Sequence, residues 1–270
     1  MLKVLSLLLV AALLAPFAHT EDAANVKTLR ALLICGGCCH DYLKQQDIIK
    51  KGLEARANIE VTIAYEPDKG TKKLNPVYEN ADWAKGYDVI IHDECSADVK
   101  DIEIINRILK PHKDGLPAVH LHCAMHCYRS EGFPKATPWF ELTGLATTGH
   151  GPQEPIAISY VDKEHPITKG LADWTTIKEE LYNNLNVYPT AHALARGKQS
   201  IKQKDGTVKD AESMVTWTNE YGKTRVFGTT LGHNNATVED ARYMDLIARG
   251  TLWACDKLNE KYLKAAPAAK

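Results

Sequence analysis

Apolar and polar positions alternate in two rhythms along this chain, and each change of rhythm marks an element. Thr28 to Ile34 is a strand-like apolar run, and after a Gly-rich turn Tyr42, Ile49, Leu53 and Ala57 fall on one helical stripe. Ile59 to Tyr65 alternates with period two as a second strand, and Tyr87 to Ile91 is a third, buried run. Val99, Ile102, Ile105 and Leu109 mark an amphipathic helix that should stop before Pro111. A fourth strand, Ala118 to His122, then runs into a turn dense in histidine and cysteine. This β-α-β-β-α-β order predicts a single α/β domain with an open, mainly parallel sheet and helices on both faces. Ligands of such sheets bind at the carboxyl ends of the strands, and His40, Asp93, His122 and His126 sit just past those ends. Side chains two apart on a strand share a face, so His120 and His122 are expected together. An unpaired dry ring nitrogen costs about 1–3 kcal/mol. His120 reads either as a core histidine or as a site residue; His122, nearest the turn, reads as functional.

The second half is less regular. Trp139 to Leu142 reads as a helical turn, Pro155 to Val161 as a strand and His165 to Leu171 as a turn-rich link, and Glu179-Glu-Leu-Tyr182 sets a carboxylate pair beside an aromatic ring. Met214 to Trp217 and Lys223 to Thr230 form a hairpin around Glu220-Tyr-Gly222 that ends in Leu231-Gly-His233. Thr237 to Asp240 resembles a capping box, opening a last helix with the stripe Met244, Ile247, Thr251, Cys255 and Leu258. There is no internal repeat.

The termini and the charge narrow the picture. Met1 to Lys3 and the apolar run Val4 to Ala15, too short to span a bilayer, predict a secretory signal over residues 1–24, cut between Ala18 and Ala24. The α/β domain then covers residues 25–258, the Ala- and Lys-rich tail 259–270 frays, and the protein is secreted or periplasmic with no membrane anchor left after signal removal. Net charge is −1, with acids and bases interspersed and no basic block beside stacked aromatics, which argues against nucleic acid as a partner. No motif calls for a nucleotide cofactor. Seven cysteines leave at least one without a partner in the chain. A parallel sheet would gather Cys38, Cys39, Cys95, Cys123 and Cys127 on one edge, so at least one disulfide is expected among Cys38, Cys39, Cys95 and Cys127, whereas Cys255 reads as a small core residue. Cys35-Gly-Gly-Cys38, between a strand and a helix start, also admits a redox reading.

Taken together, Gly36-Gly-Cys-Cys-His-Asp-Tyr42, Leu121-His122, His165-Pro-Ile with Gly170-Leu171, Glu180-Leu-Tyr182, Tyr221-Gly-Lys-Thr-Arg-Val-Phe227, Leu231-Gly-His233 and Leu252-Trp253 resemble the ThuA-like, trehalose-utilisation family. Order and spacing match from about Lys27 to Leu258. The resemblance implies a flavodoxin-like sheet of the class I glutamine amidotransferase-like superfamily and a link to sugar metabolism. The chain departs from the family pattern at Cys38-Cys39, at His120, where glycine is common, and at Cys123, often serine or alanine.

His40, His122, Glu180 and His233 match family motif positions, and a set of three histidines and a carboxylate suits zinc or a similar divalent ion with one position open. His122, Glu180 and His233 are the candidate catalytic groups, in acid and base roles even without a metal. His40, Asp41 and Tyr182 are the candidate substrate contacts, although Asp41 also reads as a helix cap and His40 as a solvated loop residue. His126 is a substitute ligand, and Asp41 and Asp93 are candidate orienters of the ligands. The expected activity is metal-assisted or acid-base processing of a carbohydrate or oxidised sugar by a hydrolase, lyase or isomerase. Two alternatives stand beside it. One is a non-catalytic sugar-binding protein with Trp139, Tyr182 and Trp217 as platforms. The other is an amidotransferase-like hydrolase with Cys123 as nucleophile and His233 as base, although the glycines of a tight nucleophile elbow are missing around Cys123.

Overall fold

The structure, a computed structural model, describes residues 26–265; the predicted secretory signal lies outside them. The first half reads β1 (Leu29–Gly37), α1 (Tyr42–Arg56), β2 (Ile59–Glu66), β3 (Val89–Cys95), α2 (Ile102–Lys113) and β4 (Ala118–Leu121), the order read from its periodicity. Then come α3 (Pro138–Thr143), β5 (Leu145–Ala146), β6 (His150–Tyr160), β7 (Trp174–Tyr182), β8 (Asn186–Val187), β9 (Ala191–Lys202), β10 (Val208–Tyr221) and β11 (Thr224–Thr229), with α4 (Asn235–Val238) and α5 (Ala241–Ala254) closing the chain. One nine-stranded sheet runs β2-β1-β3-β4-β11-β10-β9-β6-β7. It is parallel from β2 through β11 and antiparallel from β11 to β7. β5 and β8 make a separate antiparallel pair.

Alternation along β1 explains the layers. Leu29, Ala31 and Leu33 enter one core with Ile49 and Leu53 of α1 and Met244, Ile247 and Leu252 of α5. Leu32 and Ile34 enter the other with Ile105, Ile108 and Leu109 of α2 and Trp139 of α3. Each such aliphatic side chain, fully buried, contributes about 1.5–3 kcal/mol.

Three local expectations need correction. Pro111 lies inside α2 because it removes one hydrogen bond near the helix end, where Asp114 N–H still reaches Lys110 O at 3.0 Å. The last helix starts at Asp240, whose carboxylate accepts from Arg242 N at 2.9 Å, while Thr237 belongs to the short α4. The described part of the tail does not fray, because Asn58 N–H donates to Tyr262 O at 2.7 Å and Lys264 N–H to Arg56 O at 2.8 Å, tying it to the end of α1. Among the described residues, no helix is long and apolar enough to cross a membrane.

Candidate functional site

Four loops at the carboxyl edge of the parallel strands build the site. Gly36 and Gly37 have φ of +127° and +102°, and a Cβ there would stand 2.2 Å from Glu66 O and 2.6 Å from Cys95 O. Only glycine lets the chain leave β1 pressed against the ends of β2 and β3, and this delivers His40 to the edge. His122 is the first residue past β4 and has φ +40°, a left-handed conformation that costs a non-glycine residue about 1–3 kcal/mol and clusters at functional sites. That turn separates His122 from His120, which were expected on one face. His122 Nδ1–H donates to Thr230 O at 2.6 Å, which leaves Nε2 3.2 Å from the Tyr182 hydroxyl and 3.5 Å from Glu180 Oε2. Glu180 and Tyr182 share a face of β7 by alternation. Glu179, on the other face, accepts from His233 N–H at 3.1 Å and Asn234 N–H at 3.2 Å, and Gln45 Nε2 donates to Gly232 O and His233 O. These bonds fix the loop that carries His233.

The four predicted ligands converge. Ring centroids of His40 lie 4.5 Å from His122 and 4.7 Å from His233, and one nitrogen from each of the three rings lies within 4.8 Å of the others. His233 Nδ1 is 3.2 Å from Glu180 Oε1, a charge contact without hydrogen-bond alignment. Burial, and then the neighbouring His122 and His233, hold His40 neutral, pushed down to about 2. Burial opposes ionisation of Glu180, but His122 and His233 outweigh it and hold the carboxyl well below its ordinary range. Burial alone would lower His233, yet Glu180 raises it above its ordinary value. His40 Nδ1 and His233 Nδ1 are buried nitrogens without a hydrogen-bond partner in the protein, and imidazoles beside a carboxylate are a donor set that zinc accepts. Gln153 Nε2 donates to Glu180 Oε1 at 3.2 Å, and His150 Nε2 lies 3.5 Å from Glu180 Oε2.

Other expected members fall elsewhere. Asp41 holds the N-cap position of α1 without capping it, and its carboxylate accepts from Asn235 Nδ2 at 2.9 Å. Asp93 orients no ligand; burial, then Glu94, pushes its carboxyl well up. His126 stacks on Tyr182 at 4.3 Å and contacts Thr147 Oγ1, lining the cleft outside the histidine trio. His120 stacks on His92 in the α2 layer with both nitrogens unpartnered, so the core reading holds, as a buried ring without the expected hydrogen bond. Trp139 and Trp217 are fully buried and donate to Ala124 O and Thr143 O, which removes them as sugar platforms. Glu179, Gln153, His150 and Arg129 carry site contacts or line the cleft and were not singled out for them; for Glu179 the carboxylate pair was the available signal.

The cysteines are bridged within the expected set but between neighbours. Cys38 and Cys39 form the disulfide, with Cα atoms 3.7 Å apart. Cys35 is buried and donates to Gln46 Oε1, so the Cys-x-x-Cys pairing does not form, and Cys127 is engaged by Ser96 N–H and Glu94 O. The strained residue of the strand-to-helix turn is His122, one before Cys123. Cys123 donates to Cys95 Sγ at 3.1 Å, and this bond together with burial pushes its thiol well up, the opposite of an activated nucleophile. Cys255, half-buried rather than in the core, ends the last helix.

A family model described as ThuA, trehalose utilisation, matches residues 17–254. The fold is similar to a ThuA-like protein of Parabacteroides merdae, with TM-score 0.61 and 23% identity over 85% of this chain and 90% of that one. It is similar to a ThuA-like protein of Bacteroides uniformis, with TM-score 0.62 and 17% identity over 88% and 95% of the two chains. A GMP synthase-like protein of Thermoplasma acidophilum shares the architecture at TM-score 0.52 and 11% identity over 86% and 96%. No curated protein matches. With the family model covering most of its length, this chain belongs to the ThuA family.

Proposed function

We propose that the protein is an exported carbohydrate-processing enzyme that holds a divalent cation, zinc first, on His40, His122 and His233 with Glu180 beside them, and acts there on a carbohydrate or oxidised sugar. The observation that carries this reading is the convergence of three imidazoles, with nitrogens within 4.8 Å of one another, on a buried carboxylate. Bringing four polar side chains into one cleft is costly unless each finds a partner. The cation would polarise a carbonyl or lower the pKa of a water. The chain's own groups do the rest: the Thr230 carbonyl aims His122, the Glu180 carboxylate sets its charge 3.2 Å from His233 Nδ1, and the Tyr182 hydroxyl stands beside His122 Nε2 to orient a sugar hydroxyl. The cleft, about 180 Å³, adjoins a hollow of about 370 Å³, and His150 and Tyr182 line both, which favours a substrate longer than one ring. The raised His233 beside Glu180 also supports a metal-free acid-base reading of the same groups.

The test is metal analysis of chelator-stripped protein reloaded with zinc, beside His122→Ala, followed by a turnover screen of sugars and oxidised sugars that includes trehalose. Expected are about one zinc per wild-type chain, loss of zinc in the variant, and conversion of a sugar only by loaded wild type. Sugar turnover without zinc uptake would select the acid-base reading, zinc without turnover would reduce the protein to a binder, and neither would overturn the proposal.

A further inference from the structure

A second set of ligating side chains shares the rim of the cleft, and the proposed function leaves it unused. The turn after β1 supplies Cys38 and Cys39, and the end of β3 supplies Cys95, whose sulfur is 3.3 Å from Cys38 Sγ. The three sulfurs all lie within 4.8 Å of one another. Cys123 Sγ stands 3.1 Å from Cys95 Sγ, and His40 Nε2 3.2 Å from Cys123 Sγ. All four cysteines line the cavity of about 180 Å³, so the buried Cys95 is reached from it.

Two chemistries compete for such a cluster. Thiol-disulfide exchange needs Cys95 on the extension of the Cys38–Cys39 bond; with an ordinary S–S bond of about 2 Å, the attacking sulfur would then stand about 5.3 Å from the leaving one. Cys95 is within 4.8 Å of both, to the side of the bond. A shared cation instead needs the Cys38–Cys39 bond open, so that the two freed sulfurs can spread beside Cys95, since two thiolates on one ion with bonds of about 2.3 Å stand about 3.8 Å apart.

We propose that Cys38, Cys39 and Cys95, in their reduced form, are a site for a soft, thiophilic cation of the Cu(I) class, and that the Cys38–Cys39 disulfide is its closed state. Soft thiolates select such ions over hard ones. An external dithiol opens the site: the Cys38–Cys39 bond breaks, both sulfurs end as thiols, and the dithiol leaves as a disulfide. The cation then displaces the thiol protons to solvent. Cys123, donating to Cys95, is a positioning residue.

The experiment uses the full chain. Protein is reduced anaerobically with a dithiol, freed of it, and titrated with Cu(I) against a coloured Cu(I) chelator, in parallel with oxidised protein. Expected are about one Cu(I) per reduced chain with a near-ultraviolet thiolate-to-copper absorption, none in the oxidised chain, and loss of uptake in Cys95→Ser. His122→Ala keeps Cu(I) uptake and Cys95→Ser keeps zinc uptake, so this site and the histidine site fail separately. Equal uptake by oxidised and reduced wild type, a comparison that needs no variant to fold, overturns the proposal. So does unchanged uptake in Cys95→Ser, or its loss in His122→Ala.

Discussion

Glu180 is the residue on which the charge of the cleft turns. It sits within 3.2–3.5 Å of His122, His150 and His233, and its negative charge lifts His233 against the pull of burial. Glu180→Gln keeps the shape and removes the charge, so the His233 imidazole should titrate at lower pH than in wild type. An NMR titration of the histidine ring protons in metal-free protein reads this directly, and an unchanged His233 would show that Glu180 does not set its charge. His122, Glu180 and His233 were legible because each sits in a motif of its own. The part played by Glu179 was not, because it holds His233 and Asn234 by their backbone N–H groups, and a bond to backbone leaves no pattern in the partner's sequence. Cys38 and Cys39 were read as members of a larger set, and adjacency in the chain gave no reason to pair them with each other.

At the scale of elements, the parallel half was readable because its strands are short apolar runs and its helices carry clear stripes. β9 escaped, although it is twelve residues long, because its buried positions include Gly197 and Gln199 while Arg196, Lys198 and Ser200 face solvent. Alternation is present there, but small and polar residues occupy the inner face and hide the hydrophobic signal. The turn between β1 and α1 is the element most sensitive to a single change. Gly36→Ala places a methyl against Glu66 O at a φ that alanine resists, so a loss of about 1–3 kcal/mol is expected. Gly149→Ala, with no atom within 4 Å of its added methyl and no positive φ, is the matched control and should change stability far less. Urea midpoints of the two variants decide it, and equal midpoints would remove the close approach as the reason for glycine at position 36.

The whole molecule carries an excess of buried neutral histidine. Burial first, and neighbouring cationic groups second, push His40 to about 2 and His112 and His126 to about 3, and His120 is also held well below its ordinary value. In the unfolded chain these rings take protons as pH falls through about 6.5, while the folded protein refuses them, so stability is fully present above that pH and falls below it. Asp93, pushed well up, acts in the opposite sense from its ordinary value of 3.8 upward, while His165, lowered by burial first, adds to the four rings. The unfolding free energy should therefore drop between about pH 6.5 and pH 4, by about 1.4 kcal/mol per pH unit for each net proton taken up. Urea unfolding at several pH values measures the slope, and a flat or rising profile toward acid would show that these rings are charged in the fold.

β11 pairs in parallel with β4 on one side and antiparallel with β10 on the other, and its place in the middle of the sheet sets an order of events in time. A chain synthesised from its N-terminus can pair β1 through β4 early, but Ala118 to Leu121 then present an open, apolar strand edge until residues 224–229 arrive. A chain cut after residue 222 should stay protease-sensitive and prone to associate through that edge, where the full chain resists digestion. Because β11 also brings the Thr230 carbonyl and the His233 loop, the cleft is complete only once residues 224–233 are in place, and any ligand held there would stabilise only the completed chain.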